Sequence, residues 1–432
     1  MNAWTRMRLD QLGTVERGRS RHRPRNDPTL YGGPYPFVQT GDIKEAGLRL
    51  YRYSQTYSQI GLAQSRLWPE GTLCFTIAAN IGETTILGIP ACFPDSIVGF
   101  TPYVDVSDAV FVKYALDYSK STFAAISKGA TQDNLSLEKL LSQTLPVPPL
   151  ETQRRIASIL EAYDDLIEVN RRRVAVLEEM ARGLFEEWFV RFRFPGSGAT
   201  SLINTVDGPL PEGWALNPFS GLLSKSIGGL WGEPSSGESS EQRVSVVRGT
   251  DFPRILSGNY SNIPDRFVSP RELRDRQLMP GDIIMEASGG SKDQPVGRVL
   301  FVTGSLIEQL KPPVAPASFC RLLRPGEQPG LCEYVYSLLR AMYHDGRIEK
   351  FQKQSTGLRN LSMKHLAAER VIWPAPPVLQ LFGEVVSPII EASSVHRHEC
   401  QALTASRDLL LPRLISGQLS VKAAERELEQ AA

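Results

Sequence analysis

The chain has 432 residues, of which 41% are hydrophobic and 22% are charged, and its formal net charge is +1. This length predicts two to four domains, and the composition is that of a folded globular protein. No run of about 18 apolar residues is present, and the opening MNAWTRMRLDQLG has no apolar signal core. We therefore expect a cytoplasmic protein without membrane contact.

The cysteines and the charge balance exclude further classes of protein. Five cysteines without a C-x-x-C pair argue against a disulfide framework and against a zinc site. A net charge near zero would be unusual for a protein that binds nucleic acid alone. Any DNA contact should therefore be local, or shared with a partner protein.

The first notable feature along the chain is the run ERGRSRHRPRN (16–26), in which arginine occupies every second position. In an extended segment this spacing places all the guanidinium groups on one side, which suits a phosphate track or a groove of DNA. A solvated loop is an equally good interpretation. The predicted DNA-binding residues of this run are Arg17, Arg19, Arg21, Arg23 and Arg25.

A strand, a polar loop and a second strand are predicted for PEGTLCFTIAANIGETTILGI (69–89), because a Pro/Gly turn precedes two β-rich runs. Asn80 lies in the loop and is a candidate for DNA contact. Lys44 is another candidate, although its D-x-K fragment is more often a surface pair. A metal-dependent nuclease would need a second carboxylate that converges with Asp42 and Lys44 on a phosphate, and no suitable partner precedes Asp42.

The segment SKGATQDNLS precedes the first long helix and is rich in amide and hydroxyl side chains. Amide groups pair with base edges in the major groove, so the segment is a candidate DNA-facing loop. Its NLS end could equally be a helix cap, in which Ser136 accepts a backbone N–H, and both interpretations can hold. The candidates here are Lys128, Thr131, Gln132 and Asn134.

From Glu151 onward, seam positions recur at alternating spacings of three and four over four heptads, which predicts a long helix with a partner. The preceding PVPP stops any upstream helix. About 40 residues at about 1.5 Å each give a rod of roughly 60 Å. The predicted seam residues are Ile156, Ile159, Tyr163, Leu166, Asn170, Leu177 and Leu184.

The whole pattern occurs twice. DNLSLEKLLSQTLPVPPL (133–150) corresponds to RNLSMKHLAAERVIWPAP (359–376) at an offset of 226. The blocks in front correspond more loosely, QTGDI with RGTDF and the strand–loop–strand segment with PGDIIMEASGGSKDQPVGRVLFV. The candidate DNA-binding residues of the second copy are Arg248, Ser288, Ser291, Lys292, Lys353, Gln354, Thr356, Arg359 and Asn360.

A second long helix follows WPAPP. Neither helix can bury its stripe alone, so we predict that they pack on each other, antiparallel, with dimerisation of the chain as the alternative. Asn170 and His396 lie near the two centres, where a polar residue sets register more often than it binds metal or catalyses. The second seam comprises Phe382, Val385, Ile389, His396, Leu403 and Leu410.

Catalytic motifs are missing from the sequence. It has no phosphate-binding loop, no G-x-G-x-x-G, no H-E-x-x-H and no G-x-S-x-G elbow. NPF (217–219) lacks the second proline of the methyltransferase N-P-P-F signature. EASGGSK could hold an anion through backbone N–H groups, but no helix follows it at once. We predict a reader of DNA with no catalytic or metal-ligating residues. A fused or cryptic methyltransferase or nuclease, and a coiled-coil scaffold, are the alternatives.

The order and spacing of LPVPPLETQRRIASIL, LIEVNRRRVAVLEEMARGLFEEWFVRFRFPG, SIGGLWGE and LTASRDLLLPRLISGQL resemble the specificity (S) subunits of type I restriction-modification systems. The resemblance covers nearly the whole chain. It implies a mixed α/β fold with two target recognition domains separated by two long antiparallel coiled-coil helices, in a pseudo-twofold internal repeat. The implied divisions are 1–148 and 194–374 for the recognition domains, 149–193 for the first helix, and 375–432 for the second helix with its tail.

The resemblance also implies partners. The ligand would be double-stranded DNA with a bipartite asymmetric site, and two methyltransferase (M) subunits would bind the helices and bring restriction (R) subunits indirectly. The chain itself is expected to need no cofactor, whereas S-adenosylmethionine, ATP and Mg²⁺ are implied for the partner subunits.

Overall fold

The structure is a computed structural model that describes residues 4–127, 134–206, 208–289, 294–311, 313–355 and 358–431. The chain divides into two compact units, of which unit 1 comprises 1–168 and 402–432 and unit 2 comprises 169–401. Both long helices cross this division, so each unit consists of a globular block and a part of each long helix.

Unit 1 is a mixed α/β block around one sheet. Its elements up to the first long helix are β1 (Thr5–Arg8), α1 (Leu9–Leu12), β2 (Gly13–Arg17), β3 (Tyr31–Phe37), α2 (Thr40–Glu45), β4 (Arg49–Leu50), β5 (Gln55–Tyr57), α3 (Gln59–Ala63), β6 (Leu73–Thr76), β7 (Thr84–Leu87), β8 (Ile97–Pro102), α4 (Ala109–Tyr118), α5 (Lys120–Ser127), α6 (Leu137–Ser142), β9 (Thr144–Val147) and α7 (Leu150–Phe185). The sheet has the order β2-β8-β6-β7-β4, and β1-β9 and β3-β5 form two-stranded ladders. Leu73 and Phe100 are fully buried in a core that also includes Ile156 of α7.

Unit 2 has the same architecture with more strands. Its elements are β10 (Leu202–Thr205), β11 (Gly208–Pro211), β12 (Ala215–Pro218), β13 (Leu223–Gly228), β14 (Gln242–Val247), α8 (Phe252–Leu256), β15 (Asp265–Val268), α9 (Pro270–Arg276), β16 (Ile283–Glu286), β17 (Ser288–Gly289), β18 (Val299–Phe301), α10 (Gly304–Leu310), β19 (Val314–Pro316), β20 (Cys320–Pro325), α11 (Leu331–His344), β21 (Gln352–Ser355), β22 (Leu358–Leu361), α12 (Met363–Ala368) and β23 (Arg370–Trp373). The main sheet has the order β13-β20-β16-β18, beside β15-β14-β19, β17-β22-β21, β12-β23 and β10-β11.

The two units repeat the same strand pairing in the same register. In unit 1 Leu73 of β6 lies opposite Phe100 of β8, and in unit 2 the corresponding Ile283 of β16 lies opposite Leu323 of β20. The ladder of β1 with β9 is likewise repeated by β12 with β23. The internal repeat predicted from the sequence is therefore confirmed in the hydrogen-bonding register of the strands.

The long helices pack antiparallel. In unit 1, Asp164 of the first long helix accepts a hydrogen bond from Arg407 of the second. In unit 2, Asn170 donates to Glu399 over 3.0 Å. A later residue of the first helix thus faces an earlier residue of the second, which confirms the predicted antiparallel packing. The last two helices are α13 (Pro376–Ile415) and α14 (Val421–Ala431).

On each long helix, one predicted seam residue is exposed and the residue after it is buried instead. Leu166, predicted to lie in the seam, is 53% exposed, whereas the next residue, Ile167, is only 2% exposed. On α13, Val385 is 39% exposed, and Val386 is completely buried. Two adjacent apolar residues both fit a spacing of three and four, so periodicity alone cannot choose between them. Leu166 and Val385 are therefore corrected to surface positions.

The other predicted seam residues lie on the inner side of their helices. Ile156, Ile159, Asn170 and Phe382 are buried, and Tyr163, Leu177, Leu184, Ile389, His396, Leu403 and Leu410 are partly buried.

Within the part of the chain that the structure describes, α13 alone is long and apolar enough to cross a membrane, judged by length and composition. This departs from the sequence expectation, and it arises because Glu384 and Glu391 are the only charged residues between Pro376 and Val395. The core helix of a soluble protein meets the same criterion, and Phe382 and Val386 of α13 are packed in the core of unit 2.

Candidate nucleic-acid interface

The predicted DNA-binding residues of unit 1 gather at one edge of its sheet. β2 ends at Arg17, β6 ends at Thr76 and β8 begins at Ile97, and the antiparallel pairing brings these ends together. The chain leaving β2 is held there by a hydrogen bond from Gly18 N to Ile97 O of 2.9 Å. A side chain at Gly18 would clash with the carbonyl oxygen of Phe93, so only glycine allows this close approach.

The arginine run leaves this edge in the alternating arrangement that its spacing predicts. All five arginines are exposed, whereas Gly18 and Ser20 between them are buried. Arg23 donates to two backbone carbonyl oxygens, and Arg25 forms an ion pair with Asp95 at 2.9 Å. Among the described residues, no partner is found for the guanidinium groups of three members of the run. These three cations, Arg17, Arg19 and Arg21, are thus available to a ligand.

The loop after β6 is joined to the polar segment that precedes α6. Leu135 N donates to Ile77 O over 2.9 Å, and Asn134 forms a β-bridge with Ala78. Asn134 is exposed and Asn80 is partly buried, so the contact places two of the predicted amide residues on neighbouring segments at the sheet edge.

The remaining candidates of unit 1 are less well placed. Lys44 is exposed in the last turn of α2. Ser136 accepts a hydrogen bond from Lys139 N over 3.2 Å, so it caps α6 as the alternative interpretation of NLS predicts. Three candidates, Lys128, Thr131 and Gln132, lie outside the described residues.

The corresponding edge of unit 2 is built by the same contacts. Gly229 N donates to Cys320 O over 2.9 Å, as Gly18 N does to Ile97 O in unit 1. Leu361 N donates to Ala287 O over 2.8 Å, which repeats the contact between Leu135 and Ile77. The polar segment before α12 is therefore brought to the loop after β16, as in unit 1.

The polar side chains of unit 2 lie on a small sheet and not on a loop. KQSTGLRN supplies residues of the facing strands β21 and β22. In this sheet Asn360 lies opposite Lys353 and also opposite Ser288, whose hydroxyl donates to its side-chain oxygen. Lys353 is exposed and Arg359 is partly buried. Gln354 lies in β21, and Ser291, Lys292 and Thr356 lie outside the described residues.

Arg248 is held by ion pairs and hydrogen bonds within unit 2. Its guanidinium group pairs with the buried carboxylate of Asp251 at 2.8 Å, and Arg254 contacts the same oxygen at 2.6 Å. Burial alone would raise the pKa of Asp251, but the hydrogen bonds from both arginines lower it below its ordinary value. Arg248 N also donates to Asp251 over 2.9 Å, so Arg248 and Asp251 cap their own turn, and the DNA contact of Arg248 stays a prediction.

Two exposed aromatic residues at the edge of unit 2 were missed by the sequence reasoning. Phe319 is 65% exposed in the turn before β20, and Trp231 is 42% exposed after β13. Their residue types carry no polar signal for nucleic-acid contact. The repeat itself would have pointed to Phe319, because this residue stands where unit 1 has Ser96.

Features that would suit an enzyme were also sought. In the described ranges, no group of three or more His, Cys, Asp and Glu side chains is arranged to hold a metal ion. Unit 2 contains a cavity of about 750 Å³ lined in part by Phe185, Tyr334, Arg340 and Arg347. Its arginines are engaged in ion pairs, as with Arg347 and Asp345 at 2.8 Å.

Comparisons with known proteins agree with one another. Residues 1–179 match the family model "Type I restriction modification DNA specificity domain". The MjaIX specificity subunit of a type I restriction enzyme from Methanocaldococcus jannaschii is 23% identical, over 97% of this chain and 94% of that protein. The MjaVIII subunit of the same organism is 26% identical, over 90% and 87%, and the HindI subunit of Haemophilus influenzae is 23% identical, over 68% and 73%.

The fold has a solved counterpart. The crystal structure of a type I restriction-modification S subunit from M. genitalium covers 96% of both chains with a TM-score of 0.62 at 15% identity. The chain therefore has the fold of a type I restriction-modification S subunit, and its residues 1–179 contain the DNA specificity domain of that family.

Proposed function

We propose that this chain is the DNA-specificity subunit of a type I restriction-modification complex, and that units 1 and 2 each read one half of a bipartite asymmetric site. The observation that carries the proposal is the repeated sheet edge. The contacts of Leu135 with Ile77 and of Leu361 with Ala287 bring a polar segment to the same place in both units. The match of residues 1–179 to the DNA specificity domain supports it further.

The two edges differ in their side chains, which suits two different half-sites. Unit 1 presents three arginines, Arg17, Arg19 and Arg21, and unit 2 presents Ser288 and Asn360 with a single exposed lysine, Lys353, opposite Asn360. Guanidinium groups bind phosphates and guanine edges, whereas amide and hydroxyl groups pair with base edges at no net charge. Each good bidentate base contact discriminates by about 1–3 kcal/mol, so two readers of modest selectivity together specify a rare site.

The spacing between the half-sites is proposed to depend on α7 and α13. Each is one helix throughout, Leu150–Phe185 and Pro376–Ile415, and each contributes to both units. The heptad packing resists bending, because each residue of the seam is held by the facing helix. A continuous helix pair would therefore fix the number of base pairs that the complex accepts between its half-sites, about one helical turn of DNA.

Catalysis of methyl transfer and DNA cleavage is proposed to belong to partner proteins. We propose that two methyltransferase subunits bind this chain, that restriction subunits join through them, and that S-adenosylmethionine, ATP and Mg²⁺ serve those partners. The chain itself would use no cofactor and would act in the cytoplasm. This assignment is supported by the relatives, which are named specificity subunits of restriction enzymes.

Mapping methylated adenines in the DNA of a host that carries this chain with its methyltransferase partner tests the proposal. We expect one bipartite motif, with two defined half-sites and a fixed spacer, that disappears when this gene is deleted. A methylation pattern that is unchanged by the deletion, or a single uninterrupted motif, would contradict the proposal.

A further inference from the structure

Two exposed aromatic side chains share the sheet edge of unit 2 with the polar candidates. Phe319 lies in the turn between β19 and β20, and Trp231 follows Leu230, which forms a β-bridge with Ala317. Single exposed apolar residues are common on protein surfaces. Here two large ones occur within a few residues of one bridge, beside Ser288, at the edge where the proposed function places DNA.

The backbone that carries Phe319 is rigidly held. Its carbonyl oxygen accepts hydrogen bonds from Ala287 N at 2.9 Å and from Ser288 N at 3.1 Å. The turn is closed by Cys320 N, which donates to Ala317 O over 2.7 Å, and both of these residues are buried. An exposed phenyl ring on a fixed backbone loses little entropy when a ligand covers it, which favours binding.

In unit 1, Ser96 occupies the position that corresponds to Phe319. There Ile77 N donates to Ser96 O over 2.9 Å, which corresponds to the hydrogen bond from Ala287 N to Phe319 O. Phe319 therefore replaces a small polar residue at an equivalent point of the repeat. A phenyl ring is not needed to build the turn, because unit 1 makes the same contact with serine.

The segment containing Trp231 has a counterpart as well. Leu230 N donates to Pro316 O over 2.9 Å, and Arg19 N donates to Phe93 O over 3.1 Å. Leu230 and Trp231 thus follow the path that the arginine run takes in unit 1. Trp231 is also fixed, since the guanidinium of Arg266 lies 4.6 Å from the centre of its ring.

Unit 2 thus carries aromatic side chains, beside the exposed cation Lys353, at positions where unit 1 has serines next to exposed arginines. Exposed arginines attract the phosphates of any sequence, and this attraction weakens as salt rises. An aromatic ring cannot do so, but it makes apolar contacts with base pairs, such as the methyl group of thymine, that depend on sequence. We infer that Phe319, supported by Trp231, is a specificity-determining contact to the bases of the half-site that unit 2 reads. This inference rests on the proposed function.

The test uses the full chain assembled with its methyltransferase partner and a duplex that carries the mapped bipartite site. We expect Phe319→Ala to weaken binding to this duplex about tenfold, within the range of one specific base contact. Binding to an unrelated duplex and the dependence of affinity on salt should stay as in the wild type. At one or more positions of one half-site, discrimination between base pairs should be lost.

Met279→Ala is the matched control. Met279 is 49% exposed, and it lies before β16, at the opposite end of the same sheet. This variant should bind both duplexes as the wild type does. The inference is overturned if Phe319→Ala discriminates at every position as the wild type does, if it loses affinity equally for both duplexes, or if both half-sites are affected. A wild-type complex without any sequence preference would instead contradict the proposed function.

Discussion

Asn170 of α7 donates its side-chain amide to Oε2 of Glu399 on α13 over 3.0 Å. The same oxygen lies 2.8 Å from Nδ1 of His396, so Glu399 links the two residues predicted from sequence as the polar members of the seams. A buried amide that finds its only good partner at one position of the facing helix penalises every other register. The polar cluster therefore explains how two weakly apolar helices select one alignment in unit 2.

The corresponding cluster in unit 1 gives a prediction about stability. Asp164 is almost buried and accepts hydrogen bonds from the hydroxyl of Tyr114 and from Arg407. Burial raises the pKa of Tyr114, and the charge of Asp164 raises it further, so the hydroxyl stays a donor. Asp164→Ala should destabilise the chain by about 2 kcal/mol, because the buried hydroxyl of Tyr114 loses its acceptor and Arg407 keeps the carboxylate of Asp408 but loses that of Asp164.

The measurement is the thermal unfolding midpoint of the full chain. Asp165→Ala is the matched control, since Asp165 is exposed on the next position of the same helix. It should shift the midpoint only slightly. Equal shifts for the two variants would show that the cluster contributes nothing to the packing of the helices.

The arginine run predicts an effect on salt dependence. Replacing Arg17, Arg19 and Arg21 by alanine should weaken binding to all duplexes and reduce the slope of log affinity against log salt by about three, since each phosphate contact contributes about 0.9. The slope is measured on the complex with its methyltransferase partner between low and physiological salt. Arg25→Ala should change it less, because Asp95 already neutralises that guanidinium group. An unchanged slope in the triple variant would mean that the run is a solvated loop that does not contact phosphates.

The sequence predicted the fold class and the repeat because equivalent residues recur at fixed offsets, and hydrogen-bond register preserves such offsets. Arg248 shows what a list of residue types misses. The carboxylate that neutralises its guanidinium group, Asp251, lies only three residues further along the chain. The exposure of Phe319 could not be predicted from nearby residues. It depends on a turn whose carbonyl oxygen accepts hydrogen bonds from Ala287 N and Ser288 N, which are distant in sequence.

Asp251 also predicts a dependence of stability on pH. Its pKa is lower in the folded chain than its ordinary value of 3.8, because Arg248 and Arg254 hold the charged form despite burial. A group of this kind stabilises the fold above the unfolded pKa, and the contribution is lost as pH falls through the folded pKa. Asp251→Asn should therefore lower stability by about 2 kcal/mol at pH 7, as for a hydrogen-bonded charge.

The difference between Asp251→Asn and the wild type should begin to shrink below about pH 4, where the carboxyl group becomes protonated in the unfolded chain, and it should be lost as pH falls through the lower pKa of the folded chain. Thermal midpoints of both proteins between pH 7 and pH 3 measure it. Asp275→Asn is a suitable control, because Asp275 is exposed and 3.9 Å from Lys225. A constant difference over the whole range would mean that the charge of Asp251 is not what stabilises the turn.

The role of the long helices is tested by changing their length. Inserting one heptad after Asn170 of α7, with a matching heptad before Glu399 of α13, keeps both packed stripes in phase because a heptad is one repeat of the seam. The insertion lengthens the pair by about 10 Å, which corresponds to about three base pairs at roughly 3.4 Å each. Both half-sites should stay the same, and the preferred spacer in the methylation map should become longer.

Insertion into α7 alone separates length from packing. It would move Glu178 and Arg397, which pair beyond the insertion, out of register, so we expect loss of stability and of methylation at every spacing. The paired insertion should restore stability together with a new spacing. If the paired variant is stable and still modifies the original spacing best, the helices do not set the distance between the half-sites. Contacts of the partner subunits would then have to set it, since the reading edges of both units are unchanged in this variant.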